Sequence, residues 1–551
     1  MMAGTVVGEV CVLRQIVLVA SQLEAISRSR IVSPRIDCCM DQSSRFQSSR
    51  IYIPEMTIPE TTSATLRPQQ STRQTSSFAG DILKLVSGTA FAQILGILAM
   101  PFLTRLYEPE AFGTLAIFTS ITGILGVIVC MRYELAIMLP ESDEEAANLL
   151  AVSLLFAVLM ALLIIPLVWL GGTTLLDWLN TPQLGTYLWL VPPMVLLSGI
   201  FLTLNYWNTR TKHFGRLSIV RVNQSLAVTA TKLGLGFAGL ASGGAMIGAT
   251  IGGQALATTV LGGQIWRDDR KIFWRSMRWH EMIMEMKRYR KFPLYDTWSA
   301  LLNTASWQLP TLMLASLFSS TVVGYYALGF RMLQLPMSFI GSSISQVFFQ
   351  RASEAYLQGR LSTVVERTFR YLVIIGLFPM LMLAFIGRDV FVVIFGISWA
   401  EAGVYTQILS IWAFVWFISS PLSTVLSVLE QQDLLLKWNV VNFTTRLVSL
   451  SAGGMLQNPR IAILLFASSG VIVYGYITII IITRSGVSMF TIFNIIGKYL
   501  LIFFPAAIVM IYLLISEINI EIRSLIAGTI TACYLITVGL IQIRSRRVSS
   551  I

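Results

Sequence analysis

Histidine is nearly missing from this 551-residue chain. The two present, His213 and His280, lie in basic segments with no second ligand at metal-binding spacing, so no metal and no cofactor are expected. Cysteine is also sparse. Cys11, Cys38 and Cys39 sit in a polar N-terminal stretch, Cys130 and Cys533 in apolar runs, and none forms a CxxC pair, which argues against a disulfide framework. Charge is scarce as well: 12% of residues are Asp, Glu, Lys or Arg against 55% hydrophobic, and mean hydropathy is +0.71, outside the range of a soluble globular chain. Large loops are lacking, none exceeding about 30 residues, so the extramembrane domain usual for a membrane polymerase or transferase is absent and an enzyme is not expected. The Asp268-Asp269 pair, the one hint of a metal-nucleotide site, reads as a solvated loop pair without a scaffold.

What the chain does have is repeated apolar runs of about 20 residues, the length that crosses a hydrocarbon core. Fourteen are expected, at 82–106, 113–131, 146–170, 187–206, 218–240, 243–266, 294–317, 322–349, 366–386, 403–428, 434–454, 460–483, 493–515 and 522–543. The fold class is therefore an all-α polytopic membrane protein. Residues 1–77 stand apart. Met1 to Ala20 carries Glu9 and Arg14 and lacks a clean apolar core, and Ser27 to Ser77 is rich in Ser, Thr, Arg, Gln and Pro, so this part is expected to be a disordered or non-native extension.

The net charge of +12 does not point to nucleic acid, because the basic residues concentrate between spans, where membrane orientation explains them. With both termini cytoplasmic, the inward loops and tail hold Arg132, Arg210, Lys212, Arg216, nine cations from Arg267 to Lys291, Arg351, Arg360, Lys437, Arg484 and three in the 544–551 tail. The outward loops hold only Arg388, Arg460 and Arg523. The basic segment 267–292 separates spans one to six (78–266) from spans seven to twelve (293–484), with spans thirteen and fourteen (485–543) following. Its Phe273, Trp274, Met277, Met282, Ile283 and Met286 recur at helical spacing, as expected of a helix lying on anionic headgroups. The two sides echo each other weakly: Gly113-Thr114-Leu115-Ala116 opens the second span and Gly324-Tyr325-Tyr326-Ala327 the eighth.

Four cations, Arg221, Lys232, Arg331 and Arg446, fall inside spans. Each costs roughly 2.5 to 3.5 kcal/mol at the bilayer centre, so they should face a wet, protein-lined interior that admits an anion. Arg221 is near a helix end, where snorkelling alone would satisfy it. Asp296 is the carboxylate best placed to carry a coupling ion or, equally, to pair with a cavity cation, and Arg132 and Glu134, two apart near a helix end, read as local structure.

Several strings carry a family resemblance: Arg105-Leu106-Tyr107-Glu108-Pro109-Glu110-Ala111-Phe112-Gly113, Met131-Arg132-Tyr133-Glu134-Leu135-Ala136-Ile137, much of Tyr289 to Arg351, and Phe395-Gly396-Ile397-Ser398-Trp399-Ala400-Glu401-Ala402-Gly403. From about residue 78 onward the chain resembles the polysaccharide flippases of the multidrug, oligosaccharidyl-lipid and polysaccharide exporter superfamily. That resemblance implies two six-helix lobes around a central cavity plus two C-terminal helices, moving an undecaprenyl-diphosphate-linked oligosaccharide across the bacterial inner membrane by alternating access. It implies membrane lipids and polysaccharide assembly proteins as partners, an oligosaccharide for which Asn223, Gln224, Asn303, Trp307, Gln308 and Tyr325 are the candidate hydrogen-bonding and stacking contacts, and gating or headgroup entry at Arg132 and Glu134. A drug or small-ion antiporter of the same superfamily is the alternative, although cationic cargo would favour acidic cavity residues.

Overall fold

The computed structural model describes residues 78–516 and 518–548, and every element among them is a helix or turn. The expected extension at 1–77, its three cysteines and the last residues of the basic tail lie outside the described residues.

The first half holds α1 (Phe78–Leu98), α2 (Met100–Leu106), α3 (Pro109–Ile128), α4 (Tyr133–Ala136), α5 (Asp143–Leu179), α6 (Val191–Arg210), α7 (Phe214–Phe237) and α8 (Gly243–Ser276). A connecting helix, α9 (Trp279–Arg288), leads to α10 (Thr297–Leu317), α11 (Ser320–Pro336), α12 (Ser342–Leu357), α13 (Leu361–Phe395), α14 (Ala400–Leu422), α15 (Thr424–Val428), α16 (Gln432–Met455) and α17 (Pro459–Arg484). The last two are α18 (Met489–Ile515) and α19 (Ile520–Val548). Local chemistry sets the starts. Ser142, Ser242 and Ser319 each accept a hydrogen bond from the backbone N–H three residues on, at 3.2, 3.2 and 3.3 Å, and Asn458 caps α17 just before Pro459. Asn180 and Gly396 stop helices at positive φ, of 49° and 100°.

Helices lie over all fourteen expected runs, and ten are long and apolar enough to cross a membrane by length and composition. The chain is thus a multi-pass membrane protein. The helices that fall short of that measure are α7, α10, the α11–α12 pair and α16, and three of these four carry Arg221, Lys232, Arg331 and Arg446. The polar side chains that lower their hydropathy are the ones at issue for function.

Within the first half α7 packs between α1 and α8, and within the second α14 is central, against α13, α17 and α11. The halves meet where α3 lies along α11 and α10. Aromatic contacts fasten the last two helices to α13: Tyr534 stacks on Phe378 at 4.1 Å, and its hydroxyl donates to Ile374 O at 2.9 Å. Only 17% and 6% of the apolar windows of α18 and α19 are buried, against 61% for the stretch containing α14, so these helices form the rim.

Several helices run past their expected boundaries, among them α5 to Leu179 and α13 to Phe395. α8 continues ten residues past 266, so Arg267–Ser276 is helical, and α19 runs past 543 to Val548. Asp268 and Asp269 are consequently helical and not in a loop, although Asp268 is exposed as expected of a solvated pair. Asp269 accepts a hydrogen bond from the fully buried Trp207 indole at 2.8 Å, and Asp268 pairs with Arg216 and Arg267, so both anchor the α8 extension to neighbouring helices.

Candidate functional site

Lys232 projects from α7 in the first half and Arg331 from α11 in the second. Arg331 is an exposed side chain and Lys232 a half-buried one, although both have protein densely around them. Accessible side chains in dense surroundings face a gap between helices. The Arg331 guanidinium reaches across the boundary between the halves, because a Cβ built on Gly96 of α1 would stand 3.5 Å from its Nη2. It lies close enough to Lys232 for the two charges to repel. Among the described residues no acidic side chain pairs with either, so an anion could satisfy both.

The other expected cavity cations are differently placed. Arg221 is half-buried and donates to Thr89 Oγ1 on α1 at 3.0 Å, a link inside the first half. Arg446 departs further from expectation: it is 2% exposed and its guanidinium is engaged on all sides. Nη1 donates to Ser306 O at 2.9 Å, Nη2 to the Tyr474 hydroxyl at 3.0 Å, and the group lies over the Trp307 ring at 4.5 Å. It is a packed side chain of the second half and not an open cavity cation, since hydrogen bonds and a ring face already replace its hydration.

The expected sugar contacts also scatter. Asn223 and Asn303 are exposed, whereas Gln224 donates to Gln254 Oε1 at 2.7 Å within the first half. Gln308 crosses between halves and accepts from the Ser120 hydroxyl at 3.0 Å. Tyr325 is wedged edge-on against Trp399 and Tyr405 at 6.2 and 6.1 Å, away from the cations. Trp307 stands in an aromatic cluster with Trp416 and Phe330 that the sequence does not single out, because rings inside an apolar span look like any other apolar residue.

One end of the interface between halves is sealed by backbone. Gly113 of α3 and Gly324 of α11 abut, and the Trp399 indole donates to Thr104 O at 2.8 Å. The other end is held by charge. Met131 and Arg132 adopt left-handed backbone, φ 50° and 61°, which turns the chain sharply after α3 and aims Arg132 at the second half. Arg132 Nε lies 2.8 Å from Asp296 Oδ2, just before α10. Glu134, in the connection between α3 and α5, is fully buried 3.7 Å from Arg132, and neither of its carboxyl oxygens has a hydrogen-bond partner. Burial pushes its carboxyl up to about 7 against the pull of Arg132.

Two helical halves thus meet beside the two unpaired cations, with close helix packing at one end of their interface and an ion pair at the other. Solved structures share the fold. A lipid II flippase, MurJ, in an inward closed conformation matches 83% of this chain and 100% of its own at 13% identity and a TM-score of 0.65. A multidrug resistance MATE family transporter of the MOP superfamily, in an inward-facing conformation, matches 74% of this chain and 98% of its own at 12% identity and a TM-score of 0.56. No curated protein matches the chain. The chain belongs to the polysaccharide biosynthesis protein family, which matches residues 102–404, more than half its length.

Proposed function

We propose that this protein is a flippase carrying a polyprenyl-diphosphate-linked oligosaccharide repeat unit across the bacterial inner membrane by alternating access, for surface polysaccharide such as O-antigen or exopolysaccharide. The observation that carries this reading is the convergence of Lys232 and Arg331, one from each half, with no acidic partner for either among the described residues. A diphosphate bridging both would draw the two halves together, and its release would let them part. The family and the transporter fold support the same reading.

All fourteen helical runs cross the membrane in this reading, the polar ones tolerated because they line the cavity, and both termini are cytoplasmic. Two of the three cations left on the outward side are neutralised, which supports that orientation. Arg460 forks Glu401 at 2.7 and 2.6 Å, and Arg523 Nε lies 2.8 Å from Asp389. The Gly113/Gly324 seal then closes the outward end, and Arg132–Asp296 latches the inward end. Asn223 and Asn303 remain candidate sugar contacts.

Arg331→Ala and Lys232→Ala, each at normal protein level, are expected to lower surface polysaccharide export at least tenfold, measured by quantifying the polymer on a strain dependent on this transporter. Full export by both variants would sink the reading.

A further inference from the structure

We propose that the second half carries a carbohydrate-stacking platform, formed by Trp307, Trp416 and Phe330, beside the cation pair. The proposal rests on the substrate being a glycosylated polyprenyl diphosphate and locates where its sugar sits. The three rings come from three helices, α10, α14 and α11. Trp307 and Trp416 have centroids 5.2 Å apart, and Phe330 lies nearly parallel to Trp416, 6.1 Å away at 15°. Behind them Trp412 and Tyr326 are fully buried and nearly parallel to their neighbours: Trp412 stacks on Trp416 at 5.6 Å and 9°, Tyr326 on Phe330 at 5.5 Å and 9°.

The backing rings are 1% and 3% exposed, whereas Trp307, Trp416 and Phe330 are each only partly buried. The open rings are also held rigidly. Arg446 sits over Trp307 at 4.5 Å and is itself tied to Ser306 and Tyr474, which explains why a cation is built into a place where it can bind nothing else. It is a positioning residue, acting through the Trp307 ring.

The chemistry fits a pyranose. Its C–H-bearing face carries partial positive charge that matches the negative face of an aromatic ring, and a large rigid ring offers area at little entropic loss. Such stacking tolerates many sugars, as a carrier of varied repeat units requires. Phe330 immediately precedes Arg331, so platform and anion site are offset by about 100° around one helix turn, within the reach of the first sugars attached to a diphosphate. Gln308, next to Trp307, places a side-chain amide alongside.

The test uses the full-length protein in lipid nanodiscs, with binding read by native mass spectrometry for two probes: undecaprenyl diphosphate, and the same lipid bearing a chitobiose. Wild-type protein is expected to bind the glycosylated lipid at least tenfold more tightly. Trp307→Leu and Trp416→Leu should each erase that preference while leaving affinity for the bare lipid unchanged, and Trp416→Phe should keep most of it. Arg446→Gln should weaken the preference and red-shift tryptophan emission. Bare-lipid binding with no gain from the sugar, or a gain that survives both leucine variants, would overturn the platform alone. Failure of wild-type protein to bind either lipid would overturn the flippase reading beneath it.

Discussion

Gly113 and Gly324 cross with no room for a side chain on either: a Cβ on Gly113 would fall 1.7 Å from Ser320 O, and one on Gly324 would fall 1.9 Å from Pro109 O. The clash is with backbone in both directions, so no rotamer change relieves it. Close approach through small residues is how membrane helices gain packing energy where lipid offers no hydrophobic drive. Gly113→Val or Gly324→Val must therefore push α3 and α11 apart here. In a variant whose native cysteines are replaced, spin labels at Glu108 and Leu317 should move apart by a few ångströms, and export should fall at least tenfold. Unchanged label distances would show that the seal does not depend on the glycines.

The Arg132–Asp296 pair spans the opposite end, where a charge swap separates latch from scaffold. Arg132→Asp or Asp296→Arg alone places like charges side by side and should cut export about tenfold or more. The double exchange restores attraction in reverse and should recover export to within a few-fold of wild type, with protein level measured by blotting. Absence of rescue would mean that the pair is not the working contact.

How far the sequence reaches can be judged residue by residue. Apolar runs of bilayer length mark the helices well, because lipid imposes one rule on every span. The facing of a span is another matter. Arg331 and Arg446 both look like midspan cations, yet one is exposed and the other is sealed by Ser306, Tyr474 and Trp307, partners 28 to 140 positions away. The weak echo at Gly113 and Gly324 is visible in the strings, but that the two glycines touch is a fact of tertiary packing alone. Trp416 carries no signal, since an aromatic inside an apolar run is expected whether it faces lipid, core or cavity. Asp268 and Asp269 were hidden for a simpler reason: α8 continues beyond the point where its apolarity ends.

Burial of Arg446 predicts a stability role that an open cavity cation would not have. Arg446→Met removes a charge but strands the Tyr474 hydroxyl and Ser306, a loss on the order of 2 to 4 kcal/mol. Arg446→Lys should not rescue it, because an ammonium cannot reach both partners while covering the Trp307 ring. Thermal unfolding in detergent should show both variants several degrees below wild type, with affinity for bare undecaprenyl diphosphate unaltered. Unchanged unfolding with lost diphosphate affinity would return Arg446 to the cavity.

Glu134 makes the Arg132–Asp296 contact sensitive to pH. Its carboxyl is raised from the usual 4.5 to about 7 by burial, opposed by Arg132, so the folded protein holds a proton there over a window in which the unfolded chain has lost it. The stability linked to that proton is fully present below about 4.5 and is lost as pH rises through about 7, at most about 3 kcal/mol in all. Above that point the charged carboxylate, 3.7 Å from Arg132, competes with Asp296 for the same guanidinium. Glu134→Gln keeps the shape and removes the titration. The melting temperature of wild-type protein should fall between pH 5 and 7.5 relative to that of Glu134→Gln, whose curve should be flatter over the same range. Parallel curves for the two proteins would show that Glu134 is not the titrating group.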